Sequence, residues 1–433
     1  METAKHHGNV TFAVNLQHAL IWVARALDYV GIDDLHHNQR VAYIVYESAK
    51  ALGWTQSQQE FCFFAGLLHD CGVSQTQEHE KLVSQMQPKD ADTHCQAGYQ
   101  ALKACELLAR FSSIILFHHT EWRELKDMPI MEDERNIAAL IFAADRLDFL
   151  RAKYLQDTHH DLITLYKQQM IDELNVHRGT LFCPEYVDVL SQLVKKDGFW
   201  FAMDSTHIET IPLHFEHLDW LHQDLSLPLL IQLGRFIAGI VDAKSPFTYQ
   251  HSIKVAELCE FLAHKMGLNA EVGRMLYVAG LVHDIGKLRT PDEILHKRGP
   301  LSKDEYIHIK RHTVDTEVAL SMVFPDSKIG EWAINHHERL NGSGYPYNKT
   351  DKELDLPSRI IAVADIFQAL SQDRPYRARL SSDEIVAIMQ PLVDKGEIDK
   401  DVYACLERHL QTCYALSTQA TEKPVGKPIP VNA

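Results

Sequence analysis

Apolar positions recur at helical spacing along most of the chain. From His251, the positions Val255, Leu258 and Leu262 fall on one face, and Val41 and Ile44 follow His37 in the same way. No long stretch alternates apolar and polar residues, so the pattern predicts an all-α protein. The longest apolar segments, 19–32 and 227–241, are broken by Arg25, Asp28 and Arg235, short of the roughly eighteen uninterrupted residues that suggest a membrane span. Pro184, Pro212 and the run Gly198-Phe199-Trp200-Phe201 mark a mixed stretch in mid-chain, and beyond Ser417 no apolar period remains.

The helical pattern occurs twice. His37-x-x-Arg40-Val41-Ala42 returns as His251-x-x-Lys254-Val255-Ala256, and Ala65-Gly66-Leu67-Leu68-His69-Asp70-Cys71-Gly72 returns as Ala279-Gly280-Leu281-Val282-His283-Asp284-Ile285-Gly286, both at an offset of 214. His94 and the pair His118-His119 match His312 and His336-His337 at 218, and Asp145 matches Asp365 at 220. A fixed order with slowly growing offset is the mark of a duplicated unit. The predicted organisation is a first helical domain over 1–154, a connecting region over 155–226, a second helical domain over 227–416 and a disordered tail over 417–433.

Composition narrows the partners. With 43 Lys plus Arg against 59 Asp plus Glu, a formal charge of −16 repels a polyanion, so long nucleic acid is not expected to bind. The eight cysteines lack C-x-x-C spacing and sit in apolar helical patterns, as reduced core residues do. No export signal or membrane span is recognisable in the sequence, and a cytoplasmic location is expected. The unusual feature is the 26 histidines.

The histidines accompany carboxylates that the helical pattern buries. Asp365 lies in Ile-Ile-Ala-Val-Ala-Asp-Ile-Phe and Asp284 in Val-Ala-Gly-Leu-Val-His-Asp-Ile, and a buried carboxylate needs a compensating cation or hydrogen-bond network. The C-terminal half offers five imidazoles for this purpose, His251, His283, His312, His336 and His337. Seven N/O donors exceed one tetrahedral ion and suit two adjacent ions. His336-His337 is expected near a helix end, because neighbours on a helix diverge by about 100°, and Asn341-Gly-Ser-Gly344 follows to stop it. A metal pair supplies hydroxide and clamps both oxygens of an in-line displacement, which points to phosphoester hydrolysis. The motifs G-x-x-x-x-G-K-[ST], G-x-S-x-G and H-E-x-x-H are absent.

These residues resemble the HD phosphohydrolase superfamily, and the segment 227–390 resembles its HD-GYP branch, bacterial phosphodiesterases of cyclic dinucleotides. The resemblance rests on Asp242 through His251, His283-Asp-Ile-Gly-Lys287, His336-His-Glu-Arg-Leu-Asn-Gly-Ser-Gly344-Tyr345-Pro346, and Ala364-Asp365 through Asp373-Arg374-Pro-Tyr-Arg377. It implies two tandem HD-type helical domains and metal ligation by His251, His283, Asp284, His312, His336, His337 and Asp365, commonly to iron or manganese. It implies further that Lys287 serves the scissile phosphate, that Arg374 and Arg377 hold the second phosphate, and that Gly344 and Tyr345 form the pocket lip. The expected reaction opens a 3′3′-linked cyclic dinucleotide, cyclic GMP-AMP or cyclic di-GMP, to a linear 5′-phosphorylated product. A homodimer and a diguanylate cyclase-type protein are candidate partners.

Two departures stand out. Phe247 replaces a family glutamate that binds a third metal, and Gln368 replaces the second aspartate of an Ala-Asp-x-x-Asp run. The N-terminal copy is similar only to the broader superfamily. It keeps His37, His69, Asp70, His94, His118, His119 and Asp145 as a second candidate metal site, but has Val73 where the other copy has Lys287, and no Gly-Tyr-Pro loop. Removal of a 5′ phosphate and a purely structural or sensing role are both open for it. For the whole chain, a catalytically silent cyclic-dinucleotide receptor or docking protein and a mononucleotide phosphohydrolase are the competing readings.

Overall fold

The computed structural model describes residues 11–28, 36–73, 85–87, 91–155, 160–221, 223–244, 250–325, 327–373 and 378–419. Arg374, Arg377, Phe247 and the segment 420–433 lie outside them. The regular structure of the described residues is helical apart from two short strands, Thr11–Phe12 and Leu225–Ser226, which pair antiparallel with Thr11 opposite Ser226. None of their helices is long and apolar enough to cross a membrane.

The chain divides into two compact units, 16–222 and a second made of 1–15 with 223–433. The connecting stretch 155–222 is itself folded: the helix Pro184–Val194 packs on His37–Ala51 within the first unit, and Phe182, Phe199, Trp200 and Phe215 are buried there. Pro184–Val194 keeps helical spacing at Tyr186, Val187, Leu190, Leu193 and Val194, whereas Asp197–Phe201 and Ser205–Ile208 are too short to show a period. At the other end, the helix Leu410–Thr418 carries Ser417 beyond the expected boundary of disorder, buried and hydrogen-bonded to Ser371.

Each unit has the same framework. In the second, helices His251–Lys265 and Ala270–Val282 pack closely because Gly280 faces Ala256: a Cβ on Gly280 would lie 2.7 Å from Ala256 Cα. In the first, a Cβ on Gly66 would lie 2.7 Å from Ala42 Cα. The turn after each His-Asp pair is equally tight, since a Cβ on Gly286 would meet the His312 carbonyl at 2.0 Å and one on Gly72 the His94 carbonyl at 2.0 Å. Sequence dictates where the helices start. Ser302 and Glu305 form a capping box for Lys303–Val323, and Asn269 and Asp355 accept backbone N–H groups at the starts of Ala270–Val282 and Leu356–Ser371. All eight cysteines are buried and free.

Candidate metal centres

The C-terminal centre forms where helix ends and a helix interior converge. His251 opens its helix directly after Gln250, which is held at φ 75°. His283 and Asp284 sit where Ala270–Val282 gives way to the 3-10 turn Ile285–Arg289. His312 comes from Lys303–Val323 and Asp365 from Leu356–Ser371, while His336 and His337 close the 3-10 turn Asn335–His337.

Asp284 joins two groups of imidazoles. Its Oδ2 lies 3.4 Å from His251 Nε2 and 3.3 Å from His283 Nε2, and its Oδ1 lies 3.6 Å from His312 Nε2 and 3.7 Å from His336 Nε2. Asp365 Oδ1 is 3.4 Å from His251 Nε2 and 3.8 Å from His283 Nε2. Donor atoms of His251, His283 and Asp365 fall within 4.8 Å of one another, as do those of His312, His336 and His337. The geometry offers two adjacent ion positions with Asp284 between them.

The imidazoles are aimed from behind. Nδ1 of His283, His312 and His336 donates to the carbonyls of Gly280, Ile309 and Ala333 at 2.8, 2.5 and 2.6 Å, which turns each Nε2 inward, His312 toward His336 at 3.2 Å and His283 toward His251 at 3.3 Å. Nδ1 of His251 donates to the side-chain oxygen of Gln368. Burial, reinforced by the charge of Lys287, lowers His312 to about 4, and burial likewise holds His336 and His337 far down, so these rings are neutral at pH 7. For His251 burial is outweighed by Asp284 and Asp365, which push it up to about 9. Burial also works against both carboxylates. His283 and Lys287 nevertheless hold Asp284, and His251 and His337 hold Asp365, well below the usual range.

These residues fit a metal pair on their own chemistry. Asp284 Oδ1 is buried with no hydrogen-bond partner among the described residues, and it faces the Nε2 atoms of His312 and His336. An anionic oxygen so placed is costly until a cation reaches it.

Lys287, a quarter exposed, sets its Nζ 2.5 Å from Asp284 Oδ2 and so is no freely solvated helix lysine. Tyr345 lays its ring beside that of His337, centroids 4.8 Å apart at 32°. Gly344 is required by space, for a Cβ there would meet Arg339 N at 2.4 Å and Glu338 Cα at 2.5 Å. Glu338 escaped the sequence reading. It is 1% exposed and accepts from Tyr347 N at 2.7 Å and Lys349 N at 3.0 Å, tying the loop to the His336-His337 turn. Its adjacency to the histidine pair was the only available signal.

The N-terminal residues also converge. Asp70 Oδ2 lies 3.3 Å from His69 Nε2 and 3.9 Å from His37 Nε2, and its Oδ1 lies 3.6 Å from His94 Nε2 and 3.8 Å from His118 Nε2. Asp145 is 3.4 Å from His37 Nε2 and 3.8 Å from His119 Nε2. Val73 is buried at the position corresponding to Lys287. Two neighbours were missed. Arg146 donates to both oxygens of Asp145, through Nη2 at 2.8 and 2.7 Å. Asp148, the counterpart of Gln368, takes Nδ1 of His37 at 2.8 Å and is itself held by Arg40 at 2.7 Å and Arg151 at 2.8 Å. The spacing Asp145-x-x-Asp148 was the visible signal for the latter.

A duplicated helical frame with an His-Asp pair in each copy defines the class: the chain belongs to the HD domain family, which matches residues 34–150 and again 235–402. It is 44% identical over 409 residues to the 3′3′-cGAMP-specific phosphodiesterase 1 of Vibrio cholerae serotype O1, covering 94% of this chain and 95% of that protein. A cyclic di-GMP phosphodiesterase of Pseudomonas aeruginosa is 33% identical over 158 residues, 36% of this chain and 38% of its own. The crystal structure of a cyclic GMP-AMP specific phosphodiesterase of V. cholerae shares the fold, with a TM-score of 0.61 at 23% identity over 93% of this chain and 98% of that one.

Proposed function

We propose that the C-terminal centre hydrolyses one phosphodiester of a 3′3′-linked cyclic dinucleotide, with cyclic GMP-AMP as the preferred substrate and a linear 5′-phosphorylated dinucleotide as product. The observation that carries this reading is Asp284 set between two imidazole groups with Lys287 on its outer oxygen. The similarity to the 3′3′-cGAMP-specific phosphodiesterase 1 along nearly the whole chain supports the substrate. When bound, two iron or manganese ions would supply a hydroxide and neutralise the phosphoryl oxygens. His251, His283, His312, His336, His337, Asp284 and Asp365 would hold them. Lys287 neutralises charge on the leaving side or gives it a proton, Tyr345 and Gly344 shape the lip, and Arg374 and Arg377 take the second phosphate as bidentate donors. Such a substrate implies a cytoplasmic enzyme working beside a diguanylate cyclase-type protein, with homodimerisation part of the same reading.

The test is chromatography of products after incubating metal-loaded protein with cyclic GMP-AMP, cyclic di-GMP and cyclic di-AMP. Cleavage that favours cyclic GMP-AMP and is lost in Asp284→Ala is expected. Binding without turnover would instead indicate a receptor, and turnover of mononucleotides alone a different phosphohydrolase.

The ligand cluster of the N-terminal unit favours a second activity there, removal of the 5′ phosphate from the linear product. Loss of phosphate release in His69→Ala and Asp70→Ala, with ring opening retained, is the expected result.

A further inference from the structure

The two centres keep the same seven ligand types in the same order, yet their surroundings differ in a way that changes how many ions each holds. In the C-terminal unit Asp365 stands with His251 and His283, their donor atoms within 4.8 Å of one another, and Asp284 is left to bridge. In the N-terminal unit Asp145 still lies 3.4 Å from His37 Nε2, but the three-donor group that His37 and His69 form is with Asp70. Asp70 also belongs to a four-donor group with His94, His118 and His119, all within 4.8 Å. One half of the N-terminal centre therefore has a four-donor set, and the other half has two imidazoles, a share of the same aspartate, and Asp145 beside His37.

Arg146 explains the asymmetry. Only 1% exposed, it binds both oxygens of Asp145 and reaches the Gln85 carbonyl through Nη1 at 2.5 Å. The corresponding C-terminal residue is Ile366, which has no charge and no donor. A guanidinium fixed on the carboxylate that would serve the first ion both engages its oxygens and repels a cation beside it. Among the described residues one cation touches the candidate ligand carboxylates of each centre, Arg146 on Asp145 and Lys287 on Asp284. What differs is the grip: Arg146 takes both oxygens of Asp145, whereas Lys287 touches Asp284 Oδ2 and leaves both oxygens of Asp365 to the imidazoles.

We infer that the N-terminal centre takes a single metal ion, held by Asp70, His94, His118 and His119, and that Arg146 closes the second position. The N-terminal phosphatase reading then concerns a mononuclear centre. This inference shares with it only the assumption that the N-terminal unit binds metal, and the experiment reads metal and not turnover.

The full chain, saturated with Mn(II) and freed of excess, is assayed for metal content and by electron paramagnetic resonance. About three equivalents are expected, with the uncoupled signal of an isolated Mn(II) superposed on that of an exchange-coupled pair. His94→Ala and His118→Ala should each lose about one equivalent together with the isolated signal, while His37→Ala keeps both. Arg146→Met should raise the content to about four and convert the isolated signal into a coupled one. Circular dichroism confirms that each variant is folded. About four equivalents in the unaltered chain, about two, or loss of the isolated ion in His37→Ala would overturn the inference, and no gain in folded Arg146→Met would remove Arg146 as its cause. Phosphate release from a 5′-phosphorylated dinucleotide, measured on the same preparations, separates the two readings: a single ion without turnover ends the phosphatase reading alone.

Discussion

Gln368 takes the Nδ1–H of His251 on a neutral amide oxygen, where the other repeat offers His37 the carboxylate of Asp148 at 2.8 Å. The amide orients the ring without adding charge behind it. Gln368→Ala leaves His251 free to turn and is expected to weaken C-terminal metal binding by roughly 10- to 100-fold, the usual cost of losing a partner of a ligating imidazole. Chelator competition followed by metal analysis measures this. An unchanged affinity would show that packing alone orients His251.

Lys287 touches a ligand carboxylate and still reaches solvent, with its side chain 24% exposed. Lys287→Met should therefore keep its metal while turnover falls by about 10²- to 10³-fold, the range for removing one preorganised donor from a developing charge. Lys287→Arg should recover part of the loss. Steady-state kinetics alongside metal content checks the separation, which fails if metal is lost in step with rate.

Gly286 approaches the helix of His312 so closely that any side chain must push backbone apart. Gly286→Ala is expected to destabilise the second unit by about 3 kcal/mol or more, at the upper end for overpacking. Gly72→Ala should do the same to the first. Thermal unfolding of each variant measures it, and an unshifted transition would mean that the helices part without cost.

Asp242 is buried against Ser252, accepting from its hydroxyl at 2.9 Å and its N–H at 3.3 Å, and burial pushes its carboxyl up to about 6. Because the folded value lies above the ordinary one, its protonated form stabilises the fold at low pH. That contribution, on the order of 3 kcal/mol, is lost as pH rises from about 4 through about 6. Metal-free protein should accordingly gain stability from this group between pH 7 and pH 5, and Asp242→Asn should flatten that dependence. Urea unfolding across this range is the measurement, with an unaltered profile in the variant counting against the assignment.

Much of the candidate site was legible because metal ligands are few in type and fixed in order. His283-Asp284 and His69-Asp70 announce themselves by an ionisable pair inside apolar helix, and the repeat supplies the remaining positions. The short helices of 155–222 were not legible, since helices such as Asp197–Phe201 and Ser205–Ile208 span little more than one turn and show no period. Glu338 and Arg146 were missed for another reason. Their roles depend on what lies across from them, the N–H groups of Tyr347 and Lys349 in one case and both oxygens of Asp145 in the other.

By itself the sequence determined the helical class and the duplication and singled out the histidines and aspartates as candidate donors, because helical period and residue type are local properties written along the chain. Only the tertiary structure decided which of these side chains stand within a few ångströms of one another. Distances between His251, Asp284 and Asp365, or between Asp145 and Arg146, follow from how helices pack through Gly280, Gly286 and their counterparts. A single guanidinium in the place of an isoleucine can hold both oxygens of a carboxylate that the other repeat leaves open, which no spacing pattern records.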